Sequence, residues 1–376
     1  MRSRELGEDI MVSLRVEGLR KTFPGVTALE DVNLEVKESE YLVILGPTGA
    51  GKTTFLRTIA GLTRQNQGHI YFDNHLVDNS PPFQRGVAYL PQNYSLFGHM
   101  TVWENVAFGP TVQDWDLRRR DQIVKEMLNL VHLSDRRDAY PRELSGGMQQ
   151  RVALARALAT QARILLLDEP LRALDARLRL ELRQELRDLA KFLGITTLHV
   201  THDQEEAISI ADRIAVLRRG KVEQTGTPQE LYDFPVNPFV ANFIGEANFL
   251  EGTLDRLGSD SSTVALAHGQ RVVGRRTNLA GSSKVVLAVK TDSFEVRLGR
   301  VEAENTFSGT IARALFTGKR TSLEVQTSLG LLKARVPSEQ TRAYPEGSEV
   351  SLRFAPANGM VYPTPSGGLK VALEVE

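Results

Sequence analysis

Three short stretches of this chain carry side chains whose types and spacing could do chemistry. The first is GPTGAGKT, Gly46 to Thr53. It fits G-x-x-x-x-G-K-[ST] and lies between an apolar run, YLVILG, and a helix-like segment, KTTFLRTIAG. Gly46, Gly49 and Gly51 let the backbone wrap phosphate oxygens and offer them N–H donors. Lys52 is suited to neutralise β- and γ-phosphates, and the Thr53 hydroxyl to bind Mg²⁺. The expected nucleotide contacts are Gly46, Pro47, Thr48, Gly49, Ala50, Gly51, Lys52, Thr53 and Thr54. The second stretch is ILLLDEP, Ile164 to Pro170. Four apolar residues hold a strand in the core, so Asp168 emerges at its C-terminal end, where α/β sheets bind ligands. Asp168 is a candidate Mg²⁺ holder. Glu169 has no structural reason to sit there and reads as a general base that polarises water for attack on a γ-phosphate. The third stretch is LSGGMQQR, Leu144 to Arg151. It is a Ser-Gly-Gly turn opening a helix, a second place where N–H groups and a helix dipole favour an anion. Ser145 also reads as the N-cap of the helix that runs through Leu158.

These residues need a scaffold, and the first two thirds of the chain supplies the pattern for one. Short apolar strands alternate with amphipathic helices, which implies a mostly parallel, helix-covered sheet. Phe55, Leu56, Ile59 and Ala60 share one face of the helix after the phosphate loop, with Gly61 as its stop. Asp175 to Leu193 repeats Leu178, Leu182, Leu186, Leu189 and Leu193 at helical spacing. ITTLHVTHD then returns as a strand, and TPQE at Thr227 to Glu230 has the form of a capping box with proline at the first helical position. After about Pro235 the character changes. PVNPFVANFIGEANF is a proline-bearing connector, and no helix is expected beyond it. TVALA, KVVLAVK, GTIARALF, TSLEVQ, LLKARV, EVSLRF and MVYP alternate in the manner of a small antiparallel barrel or sandwich.

Composition sets outer limits. A chain of 376 residues is long enough for two or three domains. Lys+Arg and Asp+Glu are both 46, so no bulk charge draws nucleic acid or an anionic membrane. Cysteine is absent, which excludes disulfides, thiol catalysis and Cys-ligated zinc. The charged start, MRSRELGEDIMV, has no apolar core of a signal peptide. The apolar runs are far shorter than the ~20 residues that cross a bilayer, so work at a membrane would be peripheral.

GPTGAGKT, LSGGMQQR and ILLLDEP, in this order and spacing, resemble an ATP-binding cassette (ABC) ATPase. The resemblance implies an α/β phosphate-loop NTPase fold with a helical subdomain, ATP and Mg²⁺ as ligands, and a head-to-tail homodimer. Each ATP would be sandwiched between one subunit's phosphate loop and the other's signature turn. Leu144, Ser145, Gly146, Gly147, Met148, Gln149 and Asp175 would then touch the partner's nucleotide. By the same likeness Phe23 would stack on adenine, Gln92 would touch Mg²⁺ and water, and His202 would contact the γ-phosphate and join Glu169 in catalysis. His199, on the same strand, is read as sharing His202's side and receives no role. Two residues depart from the family pattern: Met148, where Gln is frequent, and Arg172, where a small Ser is usual.

The β-rich tail resembles the transport-associated OB-type (TOBE) domain of import ABC ATPases, though LAVKTDSFEV replaces a motif near Arg-Pro-Glu. The expected layout is a disordered extension over 1–12, the ATPase domain over 13–245 and an OB-like all-β domain over 246–376. The implied role is the ATPase subunit of a prokaryotic importer, on the cytoplasmic face of the plasma membrane. It would work with permease subunits and, indirectly, a solute-binding protein, and not with nucleic acid. QNYSLFGHMTV, Gln92 to Val102, is the expected permease-docking surface, with Tyr94 and Phe97 lining it. Polyamine or ferric iron is the expected solute. The competing readings are a soluble non-transport ABC ATPase and a slow-turnover ATP-bound clamp, the latter motivated by Arg172.

Overall fold

The computed structural model describes residues 12–172 and 176–374. They divide into two compact units, one ending at Gln229 and one beginning at Glu230. In chain order the first contains β1 (Leu14–Phe23), β2 (Val26–Val36), β3 (Tyr41–Leu45), α1 (Lys52–Ile59), β4 (Gln67–Phe72), β5 (His75–Leu76), β6 (Val87–Leu90), α2 (Val102–Val112), α3 (Leu117–Leu130), α4 (Gly146–Ala159), β7 (Ile164–Asp168), α5 (Ala176–Phe192), β8 (Thr196–Thr201), α6 (Gln204–Ile210), β9 (Arg213–Arg218) and β10 (Lys221–Gly226). The short α7 (Pro228–Asp233) follows.

The central sheet runs β10-β9-β3-β8-β7-β6. Its pairings are parallel from β9 to β6, and only β10 runs antiparallel. Every residue of β3 and of β7 is buried, as strands covered on both faces require. α1 buries Phe55, Leu56 and Ile59, and Gly61 follows its C-cap with φ +76°. A Cβ at Gly61 would lie 2.7 Å from Arg85 Nε, so that turn needs glycine twice over. Between β6 and β7 the chain leaves the sheet to form α2, α3 and α4, which pack on one another as the expected helical subdomain.

A second sheet in this unit was not legible. β2-β1-β4-β5 is four-stranded and antiparallel. β1 points Leu14, Val16 and Leu19 into the core, but its register to β2 shifts after Val16, after Leu19 and after Lys21. Each bulge breaks the two-residue period on which a strand is recognised.

The second unit is built on β strands. β11 (Ala247–Leu257), β12 (Ser261–Leu266), β13 (Arg271–Arg275), β14 (Lys284–Lys290) and β20 form one antiparallel sheet in the order β13-β12-β11-β14-β20, where β20 is Gly359–Pro363. β15 (Phe294–Leu298), β16 (Thr306–Phe316), β17 (Arg320–Thr327), β18 (Gly330–Pro337) and β19 (Glu349–Phe354) form the other, in the order β15-β19-β16-β17-β18. One apolar core is fed by both sheets, with Phe294, Phe307 and Phe354 stacked and edge-on at its centre. Each expected strand of the tail is present; β11, β13 and β15 are additions. The connector holds a short helix, α8 (Pro238–Phe243), capped by Asn237. A correction falls at the far end: α9 (Gly368–Leu373) is a helix where none was expected. It is a single short turn-and-a-half, too brief to leave a periodic pattern.

Candidate active site

The site forms where β3 and β7 end. β3 delivers the chain into the phosphate loop and α1 takes it out again. Gly51 is the N-cap of α1 with φ +102°, and a Cβ there would lie 2.3 Å from the Ala28 carbonyl oxygen. At Gly46 a Cβ would meet the Leu217 carbonyl oxygen at 2.2 Å. These two glycines make a bare cradle that no other residue could line. Lys52, 5% exposed, donates to the carbonyls of Gly46 and Pro47 at 2.9 and 2.8 Å. Burial holds its ammonium pKa below the usual lysine range, while the Glu169 and Asp168 charges push the other way. Thr48 and Gly49 lie exposed on the loop, with Pro47 and Ala50 buried beneath it; Thr53 is exposed and Thr54 half-buried on the first turn of α1.

Asp168, 4% exposed, closes β7. The Thr53 hydroxyl donates to its Oδ1 at 2.9 Å and the Tyr89 hydroxyl to its Oδ2 at 2.9 Å. This carboxylate and hydroxyl are the hard oxygens that Mg²⁺ prefers, so the residues fit that ion. Tyr89 is a residue of this site that the sequence reading missed. Its signal was a hydroxyl in the half-buried strand VAYL. In the β6–β7 register Tyr89 pairs with Leu166, two residues before Asp168 and so on the same face. Burial and the neighbouring Asp168 charge push the Tyr89 phenol well above its usual range, so it stays a donor.

Glu169 has φ +47°, an uncommon conformation for a residue with a side chain. Its N–H donates to the Val200 carbonyl at 3.0 Å, which pins the turn to β8. The carboxylate is thereby presented to two partners. His202 Nδ1 lies 3.1 Å from Oε1, and Arg172 Nη1 donates to Oε2 at 2.9 Å. Glu169 and His202 are therefore brought together, as expected.

Other candidates are placed differently. His199 does not accompany His202. It is fully buried, with Tyr41 OH 2.8 Å from its Nδ1 and Glu206 Oε1 3.0 Å from its Nε2. Gln92 is exposed in the turn after β6 and has no part in the hydrogen bonding around Asp168. Phe23 is 45% exposed at the end of β1, with Lys21 Nζ 4.8 Å above its ring. Ser145 caps α4, its Oγ accepting from Met148 N–H at 3.4 Å. Ser145 and Gly146 are exposed and Met148 half-buried, but Leu144 and Gly147 are buried. Gln149 spends its amide on the carbonyls of Pro141 and Leu144. Asp175 lies outside the described residues. In the expected docking loop Tyr94 is 7% exposed and belongs to the core, so it lines no groove. Phe97 remains half-buried, packed on Phe108 at 4.5 Å.

The model of the family described as "ABC transporter" matches residues 29–172, and that of the TOBE domain matches residues 287–361. The spermidine/putrescine import ATP-binding protein PotA of Chromobacterium violaceum is 42% identical over 327 residues, 86% of this chain and 90% of that protein. This chain belongs to the ABC import ATPase family. The sulfate/thiosulfate import ATP-binding protein CysA 2 of Rhizobium meliloti is 48% identical over 250 residues, 65% of this chain and 67% of that protein. Among solved structures, the dimeric post-hydrolysis state of the ATP-binding cassette MJ0796 bound to ADP and Pi is 32% identical, with a TM-score of 0.52 over 57% of this chain and 98% of that one. As an ABC import ATPase the protein binds nucleotide and couples ATP hydrolysis to transport. Among the described residues no helix is long and apolar enough to cross a membrane.

Proposed function

We propose that this chain drives solute uptake as the ATPase subunit of a polyamine importer, with Glu169 as the base that activates water. The observation that carries the reading is the position of Glu169. Its carboxylate sits at the end of β7, beside the Asp168–Thr53 oxygen pair and within hydrogen-bond reach of His202. Loop N–H groups and Lys52 would hold the phosphates. Asp168 and Thr53 would hold Mg²⁺, which supplies charge neutralisation on them. Glu169 would take a proton from water, with His202 steadying the carboxylate. Phe23 would pack on the base of the nucleotide. Ser145 and Gly146, the exposed part of the signature turn, would reach the nucleotide of a second copy in a head-to-tail homodimer, and Asp175 would couple the two sites.

The partner permease would dock at the turn from Gln92 to Val102, now without Tyr94, and a solute-binding protein would deliver the solute outside. The ATPase domain would span 13–245 and the TOBE domain 246–376, and the protein would lie on the cytoplasmic face. The PotA relatives match along most of both chains, which favours polyamine; the CysA match covers less of this one.

The test is Glu169→Gln. ATP hydrolysis should fall at least a hundredfold, while MgATP should convert the protein to a stable dimer in light scattering. Retained turnover would remove Glu169 from the role of base. In the host, loss of this chain should abolish uptake of labelled spermidine or putrescine but spare sulfate. The reverse would reassign the solute. A wild type that scarcely hydrolyses ATP would favour the clamp reading.

A further inference from the structure

Arg172 is a charged side chain within the site for which the hydrolysis reading has no use. It lies on the same turn as Glu169, and its N–H donates to the Glu169 carbonyl at 3.3 Å. The side chains then meet: Nη1 donates to Glu169 Oε2 at 2.9 Å. The three-residue spacing brings the two within reach, and the φ +47° turn at Glu169, pinned to the Val200 carbonyl, makes them meet. The carboxylate side chain is 13% exposed and the guanidinium side chain 56%. Arg172 also reaches further into the site, since its charge adds to burial in depressing the Lys52 ammonium. With His202 Nδ1 at Oε1, both oxygens of the carboxylate face a donor.

A base that activates water needs an oxygen turned toward that water. We infer that Arg172 is a positioning residue that restrains Glu169, its guanidinium occupying Oε2 in competition with the attacking water, so that turnover by this subunit is set partly by release of the pair. This rests on the reading of Glu169 as base. Arginine suits the task because its guanidinium is always charged and aims a fixed N–H at one carboxylate oxygen, which the rotating, more strongly hydrated ammonium of a lysine would do less well. Exposure keeps the restraint weak and reversible.

The experiment compares steady-state ATP hydrolysis by the purified full chain and its Arg172→Ser, Arg172→Gln and Arg172→Lys variants. A pair this exposed should slow kcat by about two- to fivefold. Arg172→Ser and Arg172→Gln should therefore raise kcat by that factor and leave KM for MgATP unchanged, and Arg172→Lys should fall between them and wild type. Raising the ionic strength should narrow the gap, because salt screens the exposed pair in the wild type alone. If Ser does not fold, Gln carries the same expectation. Equal or lower kcat in both, or a change confined to KM, overturns the inference. Glu169→Gln separates the two claims. If it abolishes turnover and Arg172→Ser is unchanged from wild type, only the restraint fails; if Glu169→Gln still turns over, the base reading fails and the restraint with it.

Discussion

Asp168 shows how much one residue depends on partners the local sequence does not display. Its two oxygens are held by Thr53 and Tyr89, which stand 115 and 79 positions away. The Tyr89 bond fixes the carboxylate while Thr53 shares the face that would hold Mg²⁺. Groups that hold a metal ligand from behind commonly cost about tenfold or more in affinity when removed. Tyr89→Phe should thus weaken Mg²⁺-dependent nucleotide binding by about tenfold, measured by fluorescent nucleotide titration against Mg²⁺, with the fold unchanged. An unaltered Mg²⁺ dependence would make Tyr89 a packing residue only. At this scale the phosphate loop was fully legible, because its requirement for bare backbone at Gly46 and Gly51 is met within a few residues. The link from Glu169 to His202, 33 positions apart, was foreseen only through family likeness.

At the scale of elements, the packing of β3, β8 and α6 hides a polar chain that no pattern announced. Tyr41 OH meets His199, His199 meets Glu206, and Glu206 Oε2 accepts from Thr201 Oγ1 at 2.8 Å. Burial opposes the charge on Glu206. The His199 ring, the Thr201 hydroxyl and the Arg183 charge outweigh it and hold the carboxyl below its ordinary range. A carboxyl depressed on folding contributes stability above its unfolded pKa of about 4.3, and that contribution is lost as pH falls through the lower folded value. Acid should therefore destabilise the first unit below about pH 4, and Glu206→Gln should flatten that part of the melting-temperature profile. An unchanged profile would locate the acid sensitivity elsewhere. The strands whose apolar runs are unbroken, β3 and β7, were legible from sequence. β11 was missed because a buried polar residue, Asn248, interrupts its pattern. Its side chain acts as an edge, accepting from Lys333 N–H at 2.7 Å and donating to Lys333 O at 2.8 Å.

For the whole molecule, the two units carry separate cores, so each should report its own stability. In the second unit Lys290 is 3% exposed, donates to the Ile244 carbonyl and places Nζ 3.6 Å above the Tyr232 ring. Burial pushes its amine down to about 8. The unfolded chain, with lysine near 10.4, binds the extra proton between those values, so this group makes the second unit more stable as pH rises from about 8 to about 10. Lys290→Met should remove that rise in a calorimetric scan; its persistence would refute the assignment. The aromatic centre of the same unit gives a second check: Phe354→Ala should cost about 3–5 kcal/mol in the second unit's transition and leave nucleotide binding intact.

The sequence by itself determined the phosphate loop, the acidic end of β7, the capped signature helix and most strands of the tail. In each the physics is short-range: backbone space at glycine, a side chain capping its own helix, or apolar residues at a fixed period. Tertiary structure alone decided which side chains meet. It brought Tyr89 to Asp168, withdrew His199 from the site and Tyr94 from the surface, and buried Leu144 and Gly147. It also set Arg172 on Glu169, a contact whose residues were visible in the sequence but whose meeting depends on the φ +47° turn pinned by Val200. Such contacts follow from sheet order and register, which depend on packing across the whole chain and leave no mark at any one position.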